Sequence, residues 1–354
     1  MPRLLILRSS LRLGGIERQL LDHARRLVAA GWQVELVCLL RGEGEHPLVG
    51  IAGQQGILAI TVPDPGPLHP CAWWWLRARL QRARPQIIHT CDYRSDVLAC
   101  LTRRHLPWVA ESHGHTQETR AMRLWNACDL GALRRADAVV CVSLAWETRL
   151  AAAGVAAERL QVGGNTTAIL PPGPLPPAVD LPPGRHLLFA GRLSPEKGID
   201  WLLAVWPELR RRFPDLHLWI AGDGARSGDD APPPAGIHRL GFQPDIRPWL
   251  LAVAAVIAPS RHEAWGMTVF EALALGIPVL AARTGGLPHL CAQAPHARLF
   301  TPLSLPALSD GLQMILAPDF PRGPDLGLAY RSQPAFDPAR RSDQWLTLYQ
   351  HLLP

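Results

Sequence analysis

Residues 259–290, PSRHEAWGMTVFEALALGIPVLAARTGGLPHL, decide how this chain is read. Pro259, Ser260 and Gly266 mark a loop that carries Glu263 and Trp265. Good helix formers follow from Met267 to Leu275, with Met267, Phe270, Leu273 and Ala274 on one side. Gly276 stands where a helix C-terminus favours positive φ. Ile277 to Ala281 then reads as a buried strand, and Thr284-Gly285-Gly286 as a tight turn. Two acids therefore bracket a helix N-terminus: Glu263 in the loop before it, Glu271 in its second turn. Such a terminus offers unpaired N–H groups and about half a positive charge, which suits a phosphate. An ordinary loop–helix–strand unit with Glu271 at its solvated surface has the same spacing, so the pattern alone leaves both readings open.

Towards the N-terminus the chain begins as a βαβ unit. Residues 3–8 read as a strand, Gly14-Gly15 as the turn after it, and 34–40 as the next strand. Between them Ile16, Leu20, Leu27 and Val28 space out a helix face that Gly31 closes. The glycines do not make the G-x-G-x-x-G dinucleotide fingerprint. Further strands are expected at 57–62, 87–89, 107–111 and 138–142, the last closing the first sheet, with Ser143 as a helix cap. His113 and His115 follow the 107–111 strand, where open α/β sheets bind ligands; a histidine in a surface loop would look the same.

Residues 163–184, rich in glycine and proline, can continue neither helix nor ladder and read as the connection between two domains. The second domain opens with a strand at 186–190 and then Gly191-Arg192-Leu193-Ser194-Pro195-Glu196-Lys197-Gly198. Ser194 is the expected N-cap and Pro195 the first residue of a helix that buries Ile199, Leu202, Leu203, Trp206 and Leu209. Arg192 just before this N-terminus, and Lys197 in its first turn, oppose the helix dipole. Either Glu196 or Asp200 neutralises them, or the two cations converge on an anion the sequence does not contain. Strands at 216–221, 237–240 and 253–258, a surface loop at 228–236, and a last helix from about 337 to 353 complete the pattern.

These motifs resemble one family. E-x-W-G-M-T-x-x-E-A followed by G-I-P-V and T-G-G is similar to the donor site of retaining GT-B glycosyltransferases, in particular glycosyltransferase family 4. Gly14-Gly15-Ile16-Glu17 is similar to the family's G-G-x-E, and the stretch 191–198 to its G-R-L-x-x-x-K-G. The resemblance implies a GT-B fold, two Rossmann-like α/β domains facing across a cleft. It implies domains at 1–163 (acceptor side) and 185–336 (donor side), a connector at 164–184, and a final helix, about 337–354, packed back on the first domain through Trp345, Leu348 and Leu352. It also implies roles. Glu263 would meet the donor sugar and Glu271 the ribose. Arg192, Lys197 and the N–H groups of Gly266, Met267 and Thr268 would meet the diphosphate, with Gly14 and Gly15 allowing close backbone approach. His113, chosen over His115 because it comes first after the strand, would close the site. Two positions depart from the family: Asn165-Thr166 replaces the usual Asn-Gly, and His289 stands where many relatives carry a Glu.

The expected reaction moves a hexose-type sugar from a nucleoside-diphosphate sugar to a hydroxyl of a glycan or lipid-linked acceptor, keeping the anomeric configuration. No cofactor is expected. No metal is expected either, because the chain has no D-x-D. A catalytically silent sugar-nucleotide-binding subunit would lose Glu263 or His113, and both are present; a nucleotide-sugar epimerase is the other alternative. Bulk composition agrees with a globular enzyme: 354 residues, 48% hydrophobic and 19% charged, allow two cores. The charge of +6 suits an acidic partner, yet no nucleic-acid module is visible. Seven scattered cysteines without C-x-x-C point to a reducing cytoplasm and away from a disulfide frame or zinc site. Tryptophan and arginine mixed from Trp73 to Arg84 suggest peripheral membrane contact, or else a half-buried helix with wet arginines. Lys197 is the one lysine among 36 basic residues.

Overall fold

A computed structural model describes residues 1–11, 13–66, 70–115, 120–170, 173–224 and 234–353. Pro171 and Pro172 of the connector, part of the proline-rich loop ending at Pro70, and most of the loop expected at 228–236 lie outside the described residues. The chain divides into two compact units, Met1–Leu170 with Pro334–Pro354, and Pro171–Gln333.

The first unit holds a seven-stranded sheet in the order β3-β2-β1-β4-β5-β6-β7. Its strands are β1 (Arg3–Ser9), β2 (Gln33–Leu40), β3 (Leu58–Pro63), β4 (Ile87–Thr90), β5 (Trp108–Ser112), β6 (Ala138–Cys141) and β7 (Leu160–Val162). The second unit holds six, in the order β10-β9-β8-β11-β12-β13. These are β8 (Arg185–Ala190), β9 (Leu216–Ala221), β10 (Ile237–Gly241), β11 (Ala255–Ala258), β12 (Val279–Ala282) and β13 (Ala297–Phe300). Every pairing is parallel. A parallel sheet is covered by helices on both faces, so its strands are apolar throughout. Leu4, Leu5, Ile6 and Leu7 show this, all buried and divided between two core clusters on opposite faces.

In each unit the strand order reverses next to the first strand, between β1 and β4 and between β8 and β11. Doubly wound sheets bind ligands beyond the carboxyl ends of the strands at such a switch point. The loops after β1, β8 and β11 are the ones that carry Gly14-Gly15, Arg192-to-Lys197 and Glu263.

Three expectations change. The first sheet is closed by β7, three residues long, and not by the 138–142 segment. The strand expected at 253–258 is shorter: the helix Arg247–Ala252 runs up to it, and β11 begins only at Ala255. In the first helix, Gly15–Ala29, Leu20, Leu21, Ala24 and Leu27 are buried, but Val28 in the last turn is 40% exposed. Of the two readings of the Trp73–Arg84 stretch, the helix Cys71–Ala83 fits the half-buried one. Trp73 and Trp75 pack against the core, Arg79 donates to Glu35 at 2.7 Å, and Trp74 is exposed. The C-terminal helix, Pro338–Leu352, buries Trp345, Leu348 and Tyr349 in the first unit's core, with Leu352 packed beside them. Among the described residues no helix is long and apolar enough to cross a membrane.

Candidate functional site

In the second unit the loops after β8 and β11 are joined by their backbones. Arg261 and His262 donate their N–H groups to the Glu196 carbonyl at 2.8 and 3.2 Å, and the Arg261 guanidinium donates to Asp200 at 2.6 Å. Here the expected helix start is wrong. Ser194 precedes a single 3₁₀ turn, Pro195–Lys197, and makes no capping bond with its side chain. The long helix is Ile199–Arg212 and begins only after Gly198. Close packing is the reason. Gly198 has φ +72°, and a Cβ there would lie 2.0 Å from the Pro259 carbonyl oxygen, so the chain turns through the left-handed region and restarts.

Lys197 consequently stands outside the helix's first turn, and its expected conflict with the dipole does not arise. Its partner is Glu263: Lys197 Nζ donates to Glu263 Oε2 at 2.5 Å, and Ser260 Oγ donates to the same oxygen at 3.3 Å. Both side chains are mostly buried, 24% and 12% exposed. Arg192 is exposed in the same loop.

The helix after Glu263 is Met267–Ala274, with Gly266 as its N-cap residue. It is buried nearly all round. Of the residues expected on one side, Phe270, Leu273 and Ala274 are buried, while Met267 is partly open and shares a face with Thr268 and Glu271. Thr268 Oγ1 donates to the Ala190 carbonyl at 3.0 Å, which ties the helix's first turn to the carboxyl end of β8. Glu271 lies close to Arg247, whose pKa is raised first by its bonds to Asp245 and also by Glu271. Behind the site the Thr284–Gly286 turn rests on the Glu263 backbone, Gly286 N–H donating to its carbonyl at 3.0 Å. His289, where relatives carry an acid, packs its ring 6.2 Å from that of Trp265.

The first unit carries the rest of the set. Gly14 N–H donates to Glu17 Oε2 at 2.8 Å, and Arg8 Nε donates to Glu17 Oε1 at 2.9 Å. Burial would raise the Glu17 carboxyl, but Arg8 holds it below its usual value. The acid of G-G-x-E is therefore turned inward, while Gly14 and Gly15 stay partly open. His113 follows β5, with Nε2 3.5 Å from Glu111 Oε1. Burial drives its imidazole down to about 4 against the opposing pull of Glu111, so it is neutral at pH 7. His115 is tied elsewhere, its Nε2 2.5 Å from Asp129 Oδ2 and its ring edge-on to Trp146. Asn165 is buried and accepts from Gln19 Nε2 at 3.0 Å, and Thr166 N–H donates to Gln19 Oε1 at the same distance.

Glu111 was not singled out by its sequence, yet it is the centre of a buried network. Arg341 Nη2 donates to its Oε1 at 2.5 Å, and His89 Nε2 lies 3.4 Å from Oε2. Burial would raise this carboxyl; Arg341, then His113 and His89, hold it well below the usual range. Arg341, Trp345 and Tyr349 recur every four residues on the C-terminal helix. The Trp345 ring stacks on His89 at 4.5 Å, and the Tyr349 hydroxyl lies 2.8 Å from His89 Nδ1 and 3.0 Å from His23 Nε2. That R-x₃-W-x₃-Y spacing was the signal available in the sequence. His89, Cys91 and Glu111 bring ligand-type atoms within 4.8 Å of one another, but the carboxylate is already engaged by Arg341 and the three atoms sit inside a closed network.

This network predicts an acid weakness. His113, His23 and His89 are all held below 6.5, chiefly by burial. Below 6.5 the unfolded chain binds protons that the folded one refuses, so their contribution is complete above 6.5 and is lost as pH falls towards about 4. His113 alone accounts for about 2 kcal/mol between pH 7 and pH 5, offset in part by Asp92 and Asp96, which burial raises. Urea unfolding of the first unit should show a lower midpoint at pH 5 than at pH 7, with a smaller drop in His113→Phe.

Two parallel doubly wound units with loops of this kind at their switch points define the GT-B class. Solved structures agree. The chain superposes on Anabaena HepE in complex with UDP-glucose with a TM-score of 0.77, at 19% identity, covering 99% of this chain and 100% of that one. It superposes on sucrose-phosphate synthase from Thermosynechococcus elongatus with a TM-score of 0.77, at 20% identity, covering 99% of each chain. The family model for glycosyltransferase family 4 matches residues 13–166, and that for glycosyl transferases group 1 matches residues 184–317. The chain belongs to glycosyltransferase family 4. It is similar to D-inositol 3-phosphate glycosyltransferases, 35% identical over 122 residues to that of Segniliparus rotundus and 31% over 171 residues to that of Streptomyces bingchenggensis. These alignments cover 30% and 44% of this chain but only 26% and 36% of the relatives' own lengths.

Proposed function

We propose that this protein is a retaining glycosyltransferase, moving a hexose-type sugar from a nucleoside-diphosphate sugar to a hydroxyl of a glycan or lipid-linked acceptor. The observation that carries the reading is the Lys197–Glu263 pair, set beside the N-terminus of the helix Met267–Ala274. An ammonium has three donors. One serves Glu263, which leaves others for a diphosphate, while the second carboxylate oxygen of Glu263 is available to sugar hydroxyls. As the diphosphate leaves, negative charge grows on the departing oxygen and positive charge on the sugar. In this reading Lys197, Arg192 and the N–H groups of Gly266, Met267 and Thr268 stabilise the first. Glu263 fixes the sugar and Glu271 the ribose; in the first unit, Gly14, Gly15 and His113 keep the donor-facing roles that the family resemblance implies.

The UDP-glucose complex of the structure on which the chain superposes supports a uridine nucleotide as the first donor to try. On the acceptor side, a cavity at the carboxyl ends of β1 and β2 is lined by Ser9, Ser10, Asp64, Arg94, Tyr93 and Trp125. Aromatic faces with hydroxyl-matching polar groups suit a sugar or polyol ring.

Thermal shift with UDP-, GDP- and ADP-sugars identifies the donor, and a turnover assay with that donor separates the alternatives. Release of nucleoside diphosphate supports transfer; interconversion of the sugar without release supports epimerisation; binding without either supports a silent subunit. We also expect turnover to be unchanged in excess chelator, because side-chain cations and a helix N-terminus supply the charge a metal would. Loss of turnover on chelation, restored by magnesium, would contradict this.

A further inference from the structure

We infer that Glu111 and Arg341 are positioning residues for His113: through the Arg341–Glu111 pair the C-terminal helix holds the His113 imidazole as its Nε2–H tautomer, leaving Nδ1 as a hydrogen-bond acceptor for a hydroxyl-bearing ligand. The inference rests on the reading of His113 as a group at the sugar, but its central claim concerns the ring itself.

The geometry runs outward from β5. Residues two apart on an extended chain point to the same side, so Glu111 and His113 face the same way. His113 Nε2 lies 3.5 Å from Glu111 Oε1. An ionised carboxylate only accepts hydrogen bonds, so the ring nitrogen that faces it carries the proton. In a neutral imidazole the other nitrogen is then the acceptor. At 3.5 Å this is not a formed hydrogen bond: His113 Nε2 is buried with no hydrogen-bond partner, so the carboxylate acts on it electrostatically, and contacts of this kind are often long before a ligand binds.

The tautomer therefore depends on Glu111 being ionised and still. Its side chain is 2% exposed, and a carboxylate in that position stays charged only when paired. Arg341 supplies the pairing at 2.5 Å. Gln19 Nε2, 3.4 Å from Oε1, and His89 Nε2, 3.4 Å from Oε2, keep the group from turning. Arg341 is fixed in turn by the C-terminal helix, its guanidinium 5.4 Å from the Trp345 ring. The last fifteen-residue helix of the chain thus reaches the first unit's candidate site through two side chains that touch no ligand.

Nitrogen NMR of the ¹⁵N-histidine-labelled full chain at pH 7 tests the claim without any variant. The expected spectrum shows His113 with a protonated Nε2 and an unprotonated Nδ1; a protonated Nδ1, or an imidazolium, overturns the inference. In the transfer assay Arg341→Met should lower kcat by roughly 10- to 100-fold, with the donor KM changed less than about twofold. Arg341→Lys should recover part of that loss. Combined with His113→Ala, Arg341→Met should add less than about twofold; an undiminished further loss would mean a general structural role and overturn the positioning claim. Should Arg341→Met not fold, the double variant Glu111→Gln/Arg341→Met removes both charges, and its His113 spectrum should lose the single tautomer. Wild-type turnover by His113→Ala would instead refute the reading of His113 at the sugar, whatever the spectrum shows.

Discussion

Lys197→Ala lowers kcat/KM for sugar transfer by roughly 10²–10³-fold, the loss expected when one preorganised charge-stabilising donor is removed. Two effects combine. The variant takes a cation from the diphosphate region, and it leaves Glu263, 12% exposed, without the ammonium that neutralises and orients it. Lys197→Arg keeps the charge yet should remain clearly impaired. A guanidinium is planar and forked and tends to engage a carboxylate through two parallel bonds, whereas an ammonium can divide three donors among partners in different directions. A forked group drawn fully onto Glu263 would occupy the oxygen meant for the sugar. The chain uses arginine at every other basic position, which agrees with a demand for the compact group here. Steady-state kinetics of the two variants decide the matter. Near-wild-type transfer by Lys197→Arg refutes the geometric argument, and near-wild-type transfer by Lys197→Ala removes Lys197 from the site.

The parts of this site that were legible in the sequence are those whose chemistry is local. Gly276 ends a helix at φ +74°, Ser143 caps one by accepting from Trp146 N–H, and the apolar runs of β1 and β2 can only be buried strands. The donor loop was readable because its acids, glycines and helix formers are contiguous. What could not be read was decided by residues far apart. Ser194 and Pro195 have the composition of a helix start, but the Pro259 carbonyl, far along the chain, fits against Gly198 and moves that start to Ile199. Strand β7 has three residues and is defined by pairing with β6 rather than by its own pattern. Glu111 and Arg341 meet across 230 positions. Each looks like an ordinary surface charge until the helix that carries Arg341 is laid on β4 and β5. The helix periodicity of Arg341, Trp345 and Tyr349 showed a mixed polar and aromatic face, but not what it would touch.

Gly285→Ala should disable the protein in a way that its stability alone does not explain. Gly285 has φ +54°, where a side chain is disfavoured, and a Cβ there would lie 1.7 Å from the Glu263 carbonyl oxygen and 2.8 Å from its carbon. The obstacle is backbone on both sides, so no side chain can swing aside. To reach even a tight contact the Glu263 backbone must retreat by about 1 Å or more, and the Gly286-to-Glu263 hydrogen bond of 3.0 Å is lost with it. A displacement of that size in a group that orients the sugar costs about 10²-fold in turnover. Gly276→Ala provides the comparison. It has φ +74°, and its Cβ would meet the Gly323 carbonyl oxygen at 1.8 Å, an equal backbone clash at the far end of the helix Met267–Ala274. Both variants should lose about 2–4 kcal/mol of stability and unfold at lower temperature. Measured per folded molecule well below those midpoints, Gly276→Ala should keep most of its turnover and Gly285→Ala should not. Equal specific activities would show that the turn behind Glu263 supports the fold but does not place the acid.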